Sequence, residues 1–184
     1  MAQTPSNMLP LGTKAPDFLL PNTNGNFPIS YADVQGDKGT LVIFMCNHCP
    51  FVLHVVEEIV RISNDYVVEG IGIVAISSND IEKYPQDGPE KMREFAFQNN
   101  IDFPYLYDAT QAIAKAYDAA CTPDFYLFDK NNALYYRGQL DDSIPNNGIP
   151  VSGSDLRNAI DSLLYNRVLN PIQKPSIGCN IKWK

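Results

Sequence analysis

Phe44-Met-Cys-Asn-His-Cys-Pro-Phe51 is the stretch on which the reading of this chain turns. It sets Cys46 and Cys49 two residues apart at a change of pattern. Before them, Thr40-Leu-Val-Ile-Phe-Met45 is a short continuous apolar run, the mark of a strand buried on both faces. After Pro50, Val52, Val55, Val56, Ile59 and Val60 recur on one helical face. A C-x-x-C pair is a redox dithiol or half of a zinc site. Zinc needs two further ligands, usually a second close pair, and neither the lone Cys121 and Cys179 nor His48 and His54 supply one. The redox reading therefore leads, and no metal is expected. At a strand-to-helix junction the helix amides are expected to point at Cys46 and favour its thiolate. Cys49, about one turn on, then closes the disulfide.

Working outward, residues 70–76 read as a second buried strand. Asp87-Gly-Pro-Glu90 reads as a helix start whose apolar face is Met92, Phe95 and Ala96. A strand over 103–107 precedes an Ala-rich helix over 109–118. Strands over 125–128 and 134–136 flank Lys130-Asn-Asn132 as a hairpin. A last helix over 154–168 carries Leu156, Ile160, Leu163 and Leu164 on one face. The order β-α-β-α-β-α-β-β-α predicts an α/β domain, a central mixed sheet with helices on both faces. At about 150 residues per domain, the 184 residues make one. Residues 1–36, rich in Pro, Gly and Asn, read as an irregular lead-in with room for one short hairpin. Residues 169–184 form a tail whose Ile177, Ile181 and Trp183 are apolar enough to fold back onto the body near Cys121.

Composition excludes several classes. With 45% hydrophobic and 19% charged residues, the chain can build a core and is no disordered segment. Its net charge of −7 disfavours a phosphate backbone, so no nucleic-acid partner is expected. No apolar run approaches the roughly 18 residues of a membrane span, and the first ten residues lack the pattern of a signal peptide. Four cysteines are too few for a disulfide scaffold. A cytoplasmic protein without a membrane partner is the expectation.

Some residues keep two readings. His48, between the cysteines, either stabilises a thiolate or is an exposed first-turn side chain. His54 reads as a surface or packed histidine. Residues 77–88 either line a substrate groove or form a solvated loop, the second being favoured. Tyr105, Tyr107, Tyr126, Tyr135 and Tyr136 read as strand residues.

Four segments in order carry a resemblance. They are Gly12-Thr-Lys-Ala-Pro-Asp-Phe18, the Phe44–Phe51 stretch, Cys121-Thr-Pro-Asp-Phe-Tyr-Leu-Phe-Asp129 and Ile177-Gly-Cys-Asn-Ile-Lys-Trp183. Together they resemble the thioredoxin-like superfamily and, within it, a peroxiredoxin-like branch of the alkyl hydroperoxide reductase/thiol-specific antioxidant (AhpC/TSA) family. The resemblance implies a thioredoxin-like three-layer fold. It also implies a cis Thr122–Pro123 peptide against the dithiol, with the Thr122 backbone open to an extended thiol substrate.

The departures from the family pattern matter. Its peroxidatic motif is Thr-x-x-Cys-Pro; here Cys49-Pro50 takes the Cys-Pro position and Cys46 the Thr position. The family's peroxide-binding Arg falls at Pro123. Thioredoxin's Trp and buried acid fall at Met45 and Thr40. The expectation is a thiol–disulfide oxidoreductase with an antioxidant role and no cofactor. Cys46 would attack as the more exposed and more acidic thiol, Cys49 would resolve, and His48, Pro50, Thr122 and Pro123 would support them. Its partners would be a protein or small-molecule disulfide or thiol and an external thiol reductant. The alternatives are an atypical peroxidase taking a hydroperoxide at Cys49, and a Cu(I)-binding chaperone using both thiolates. Cys121 and Cys179 are either a second redox pair or two ordinary buried small hydrophobes.

Overall fold

The structure, a computed structural model, describes residues 3–184. In chain order its elements begin with β1 (Gln3–Pro5), β2 (Leu19–Leu20), β3 (Ile29–Ser30), α1 (Tyr31–Val34), β4 (Gly39–Phe44), α2 (Pro50–Val67) and β5 (Ile71–Ser77). There follow α3 (Pro89–Gln98), β6 (Tyr105–Tyr107), α4 (Ala112–Ala116), β7 (Cys121–Thr122) and β8 (Asp124–Asp129). The chain closes with β9 (Leu134–Gly138), α5 (Ser154–Leu164) and β10 (Ile177–Asn180). The apolar run before the C-x-x-C pair becomes β4, buried at every position. It can be so because it is the middle strand of a five-stranded sheet, ordered β6-β5-β4-β8-β9. β4, β5 and β6 run parallel, while β8 and β9 join antiparallel.

Strand alternation divides the core into two layers. Leu41, Ile43, Ile73, Ala75, Phe125 and Leu127 face one side, where Val52, Val56 and Ile59 of α2, Met92 of α3 and Leu156 of α5 cover them. Val42, Phe44, Val74, Ile76, Tyr126 and Phe128 face the other, against Tyr31 and Val34 of α1 and Ala114 of α4. This is the three-layer α/β arrangement expected from the residue pattern.

Outside it, β2 and β3 form the short antiparallel hairpin of the lead-in. A second sheet that the patterning did not signal, β1-β10-β7, ties the two ends of the chain to the loop before β8. Its strands are two to four residues long and too short to show periodicity.

Two helices are shorter than expected. The helix read over 109–118 contracts to Ala112–Ala116, because Gln111 and Asp118 adopt left-handed backbone conformations (φ 63° and 50°). The last helix stops at Leu164, with Asn166 at φ 51° just beyond. No helix among the described residues is long and apolar enough to cross a membrane.

Candidate active site

β4 ends at Phe44 and α2 begins at Pro50, so the five residues between them carry the dithiol out of the sheet. Pro50 sits at the first helical position, where its missing N–H costs nothing. That makes Cys49 the N-cap residue, and Cys46 lies three residues earlier, off the helix end. The expectation that the helix amides point at Cys46 is thereby corrected. They serve Cys49, whose sulfur accepts from the Val52 N–H.

Both thiols are buried, Cys46 at 1% exposure and Cys49 at 0%, so neither is the exposed member of the pair. Both converge on Thr122. Cys46 Sγ lies 3.5 Å from Thr122 Oγ1, and Cys49 Sγ lies 3.2 Å from the Thr122 carbonyl oxygen. The Thr122–Pro123 peptide is cis.

The acidity of the pair is polarised in the direction opposite to that expected. A hydrogen bond from Cys46, then others from Cys179 and the Val52 amide, outweigh burial and bring Cys49 down to about 5. Cys46 is pushed well above its ordinary value by that shared hydrogen bond with Cys49, by burial, and by the nearby negative charge of Asp87. Cys49 therefore holds the thiolate and Cys46 the proton.

Asp87 is a site residue that sequence reading took only for a helix start. It is fully buried on a 3-10 turn, Pro85–Asp87, inside the long segment between β5 and α3. The Asn47 backbone N–H donates to one of its carboxylate oxygens at 2.9 Å, and Asn79 Nδ2 to the other at 2.8 Å. His48 Nδ1 is 2.7 Å from Asp87 Oδ2, an ion-pair distance without hydrogen-bond alignment. The His48 ring stacks on Tyr84, with centroids 5.6 Å apart and planes at 7°. Residues 77–88 are solvated only in part: Ser77, Ser78, Asn79, Asp80 and Asp87 are buried, while Glu82, Lys83, Pro85 and Gln86 are exposed. The one sequence signal was the density of small polar residues in a segment too long for a simple connection.

His54 hydrogen-bonds Ser143 Oγ through Nε2 at 2.8 Å and takes no part in the dithiol's contacts. Tyr105, read as a plain strand residue, also reaches the site, its hydroxyl donating to Asn47 Oδ1 at 3.0 Å.

Cys121 and Cys179 are not brought together as a pair. β10 runs antiparallel to β7 with Cys179 opposite Thr122 and Asn180 opposite Cys121. Opposed residues share a face and neighbours alternate, so Cys179 projects with Thr122 toward the dithiol and Cys121 projects away. The two sulfurs that meet are those of Cys179 and Cys49, 2.8 Å apart. The Cys121 thiol instead points weakly at the Pro123 and Ser176 carbonyls, at 3.7 and 4.0 Å. The same pairing occupies the Thr122 backbone expected to be open to substrate.

Among the described residues, one grouping offers three donors to a metal ion: Cys46, His48 and Asp87, within 4.8 Å of one another. Two of the three already face each other, and Asp87 is further engaged by Asn47 and Asn79. A carboxylate-containing set is also not the soft, sulfur-rich kind that suits Cu(I).

Comparison with known proteins agrees with this architecture. A crystal structure of an uncharacterized conserved protein from Geobacillus kaustophilus superposes with a TM-score of 0.98 at 56% identity, covering 100% of this chain and 97% of that one. The Mycobacterium tuberculosis protein named "Putative peroxiredoxin Rv2521" is 28% identical over 116 residues, 63% of this chain and 68% of its own length. The thiol-disulfide oxidoreductase YkuV of Bacillus subtilis is 24% identical over 113 residues, 59% of this chain and 72% of its own. The fold is thioredoxin-like. Residues 11–137 match the AhpC/TSA family, and the chain belongs to that family.

Proposed function

We propose that the protein is a thiol–disulfide oxidoreductase cycling Cys46 and Cys49 between dithiol and disulfide, with roles opposite to those the residue order suggests. The observation that carries this reading is the convergence of both sulfurs on Thr122 beside the cis Pro123, with Cys49 at the α2 N-cap. The Cys49 thiolate attacks a substrate disulfide, forming a mixed disulfide and expelling the first substrate thiolate, which takes up a proton. Cys46 then gives up its proton, attacks the Cys49 sulfur and expels the second substrate thiolate. The substrate gains two electrons, the protein holds a Cys46–Cys49 disulfide, and an external thiol reductant restores the dithiol. Asp87 and His48, beside Cys46, are the groups best placed to receive the proton that Cys46 must lose.

A peroxidase with Cys49 as the attacked sulfur is the second reading, favoured by Cys49 being the low-pKa thiol directly before Pro50. Against it, Pro123 stands where the family's peroxide-binding Arg would lie. The buried Arg137 is itself committed to Asp124, 3.3 Å away, and to the ring of Tyr126.

Stopped-flow measurement of the reduced protein separates the two. The expected result is faster loss of the thiolate signal with a disulfide than with hydrogen peroxide at equal concentration. Rapid reaction with peroxide and sluggish exchange would overturn the proposal in favour of the peroxidase.

A further inference from the structure

β10 lies along the Thr122–Pro123 peptide like an added peptide strand. Gly178 permits the approach: a Cβ there would sit 2.0 Å from the Thr122 carbonyl oxygen. The strand is paired with β1 on one side and β7 on the other, and the residues that follow it are anchored as well. Ile181 N–H donates to the Ala120 carbonyl at 3.1 Å, and Asp80 N–H to the Lys182 carbonyl at 2.8 Å. The Lys182 N–H donates to Asn79 Oδ1 at 2.8 Å, and Gln111 Nε2 to the Lys182 carbonyl at 2.9 Å. β10 thus lies along the edge beside the cis peptide and sets the Cys179 sulfur against that of Cys49.

We propose that Cys179 is a third redox thiol and that Cys49 exchanges its disulfide partner between Cys46 and Cys179. This rests on the reading above that Cys46 and Cys49 form the working disulfide. In the exchange the deprotonated Cys179 sulfur attacks the Cys49 sulfur. The Cys49–Cys179 bond forms, the Cys46–Cys49 bond breaks, and Cys46 leaves as a thiolate that takes up the proton Cys179 lost. No electrons enter or leave, and the reverse step is the same chemistry.

Closing the observed 2.8 Å to a bond of about 2.05 Å needs less than about 1 Å of movement. Cys121, adjacent in sequence to Thr122, is excluded because it projects from the opposite face. The protonated state of Cys179, pushed up to about 12 by burial and by its hydrogen bond to Cys49, fits a group that donates to the Cys49 thiolate at rest. Exchange returns Cys46 to the His48–Asp87 side as a thiol while the oxidation is stored under β10.

The test oxidises the folded full chain with diamide, which takes two electrons and two protons from each dithiol and ends as the hydrazine. Remaining thiols are blocked and disulfide-linked peptides are mapped by mass spectrometry, with folding followed by circular dichroism. Wild type is expected to contain both Cys46–Cys49 and Cys49–Cys179 links. Cys46→Ser should retain only Cys49–Cys179, Cys179→Ser only Cys46–Cys49, and the double variant neither; Cys121→Ser should match wild type. A Cys46→Ser protein without the Cys49–Cys179 link, while Cys179→Ser still forms Cys46–Cys49, overturns the proposal and leaves the dithiol reading intact. The converse result overturns the dithiol reading and the exchange with it. If either serine variant misfolds, the presence or absence of the Cys49–Cys179 peptide in oxidised wild type decides the matter.

Discussion

Cys49 owes its thiolate to donors and not to a cation: the Cys46 thiol first, then Cys179 and the Val52 amide. Removing the first donor should therefore raise its pKa. In wild type the ultraviolet thiolate absorbance of the reduced protein should show a transition near 5 that is absent from Cys49→Ser. In Cys46→Ala the transition should move up toward the ordinary thiol value of 9.0. An unshifted transition would remove Cys46 as the donor. The linkage sign follows from the same depression. A thiolate held below its unfolded pKa contributes stability that is present above about 9 and is lost as pH falls through about 5. The Tm difference between wild type and Cys49→Ala should accordingly widen from pH 5 toward pH 8.

Asp87 acts on the other sulfur. Its charge helps hold Cys46 protonated, so Asp87→Asn, which can keep an acceptor for the Asn47 N–H, should lower the pKa of Cys46. It should also slow turnover if Asp87 receives the Cys46 proton in the resolving step. Steady-state disulfide reduction across pH checks this: a shifted alkaline limb supports the role, and an unchanged profile excludes it.

At the level of elements, one glycine controls how the terminal sheet meets the site. The Gly178 Cα stands so close to the Thr122 carbonyl that a methyl group could be accommodated only if β10 moved off β7. Backbone cannot yield as a flexible side chain does. Gly178→Ala should cost about 1–3 kcal/mol, a fall of very roughly 2–12 °C in Tm for a chain of this size. It should also separate Cys179 from Cys49. Loss of the Cys49–Cys179 link in the oxidised variant, with Cys46–Cys49 retained, would show the strand to be what sets the sulfur contact; thermal melting gives the energetic part.

Across the whole molecule, a buried charge pair joins the main sheet to the terminal one. Arg137 on β9 and Asp124 on β8 are both fully buried, 3.3 Å apart, and the Ser6 hydroxyl after β1 donates to Asp124 at 2.7 Å. The Arg137 guanidinium also donates to the Asp118 carbonyl and lies over the Tyr126 ring. Burial pushes the Asp124 carboxyl up, and Arg137 pulls it back. Arg137→Ala should cost about 3–5 kcal/mol, because it leaves a carboxylate buried without its partner. Its Asp124 pKa should rise further. A raised carboxyl contributes stability that is present below the unfolded pKa and lost as pH rises through the folded one. The deficit of Arg137→Ala against wild type should therefore be smaller near pH 4 than at pH 7, as denaturant melts at the two pH values would show.

Local pattern was enough for the central layers and for the dithiol. Continuous apolar runs marked β4 and β5, the 3.6-residue period marked α2, and Cys46, Cys49 and Pro50 marked the junction, because each of these signals is carried by neighbours in the chain. The direction of polarisation within the dithiol was not legible. It depends on which residue caps α2, and on Asp87 and Cys179, which reach the sulfurs from 41 and 130 positions away along the chain. The pairing of β10 with β7 was equally hidden, since strands of two and four residues carry no period and their register is set by partners. The sequence by itself determined that two thiols stand at the start of a helix on a mixed sheet. The tertiary structure alone decided which thiol carries the charge and which third sulfur faces it, because hydrogen bonds, burial and strand register are properties of residues that only folding brings into contact.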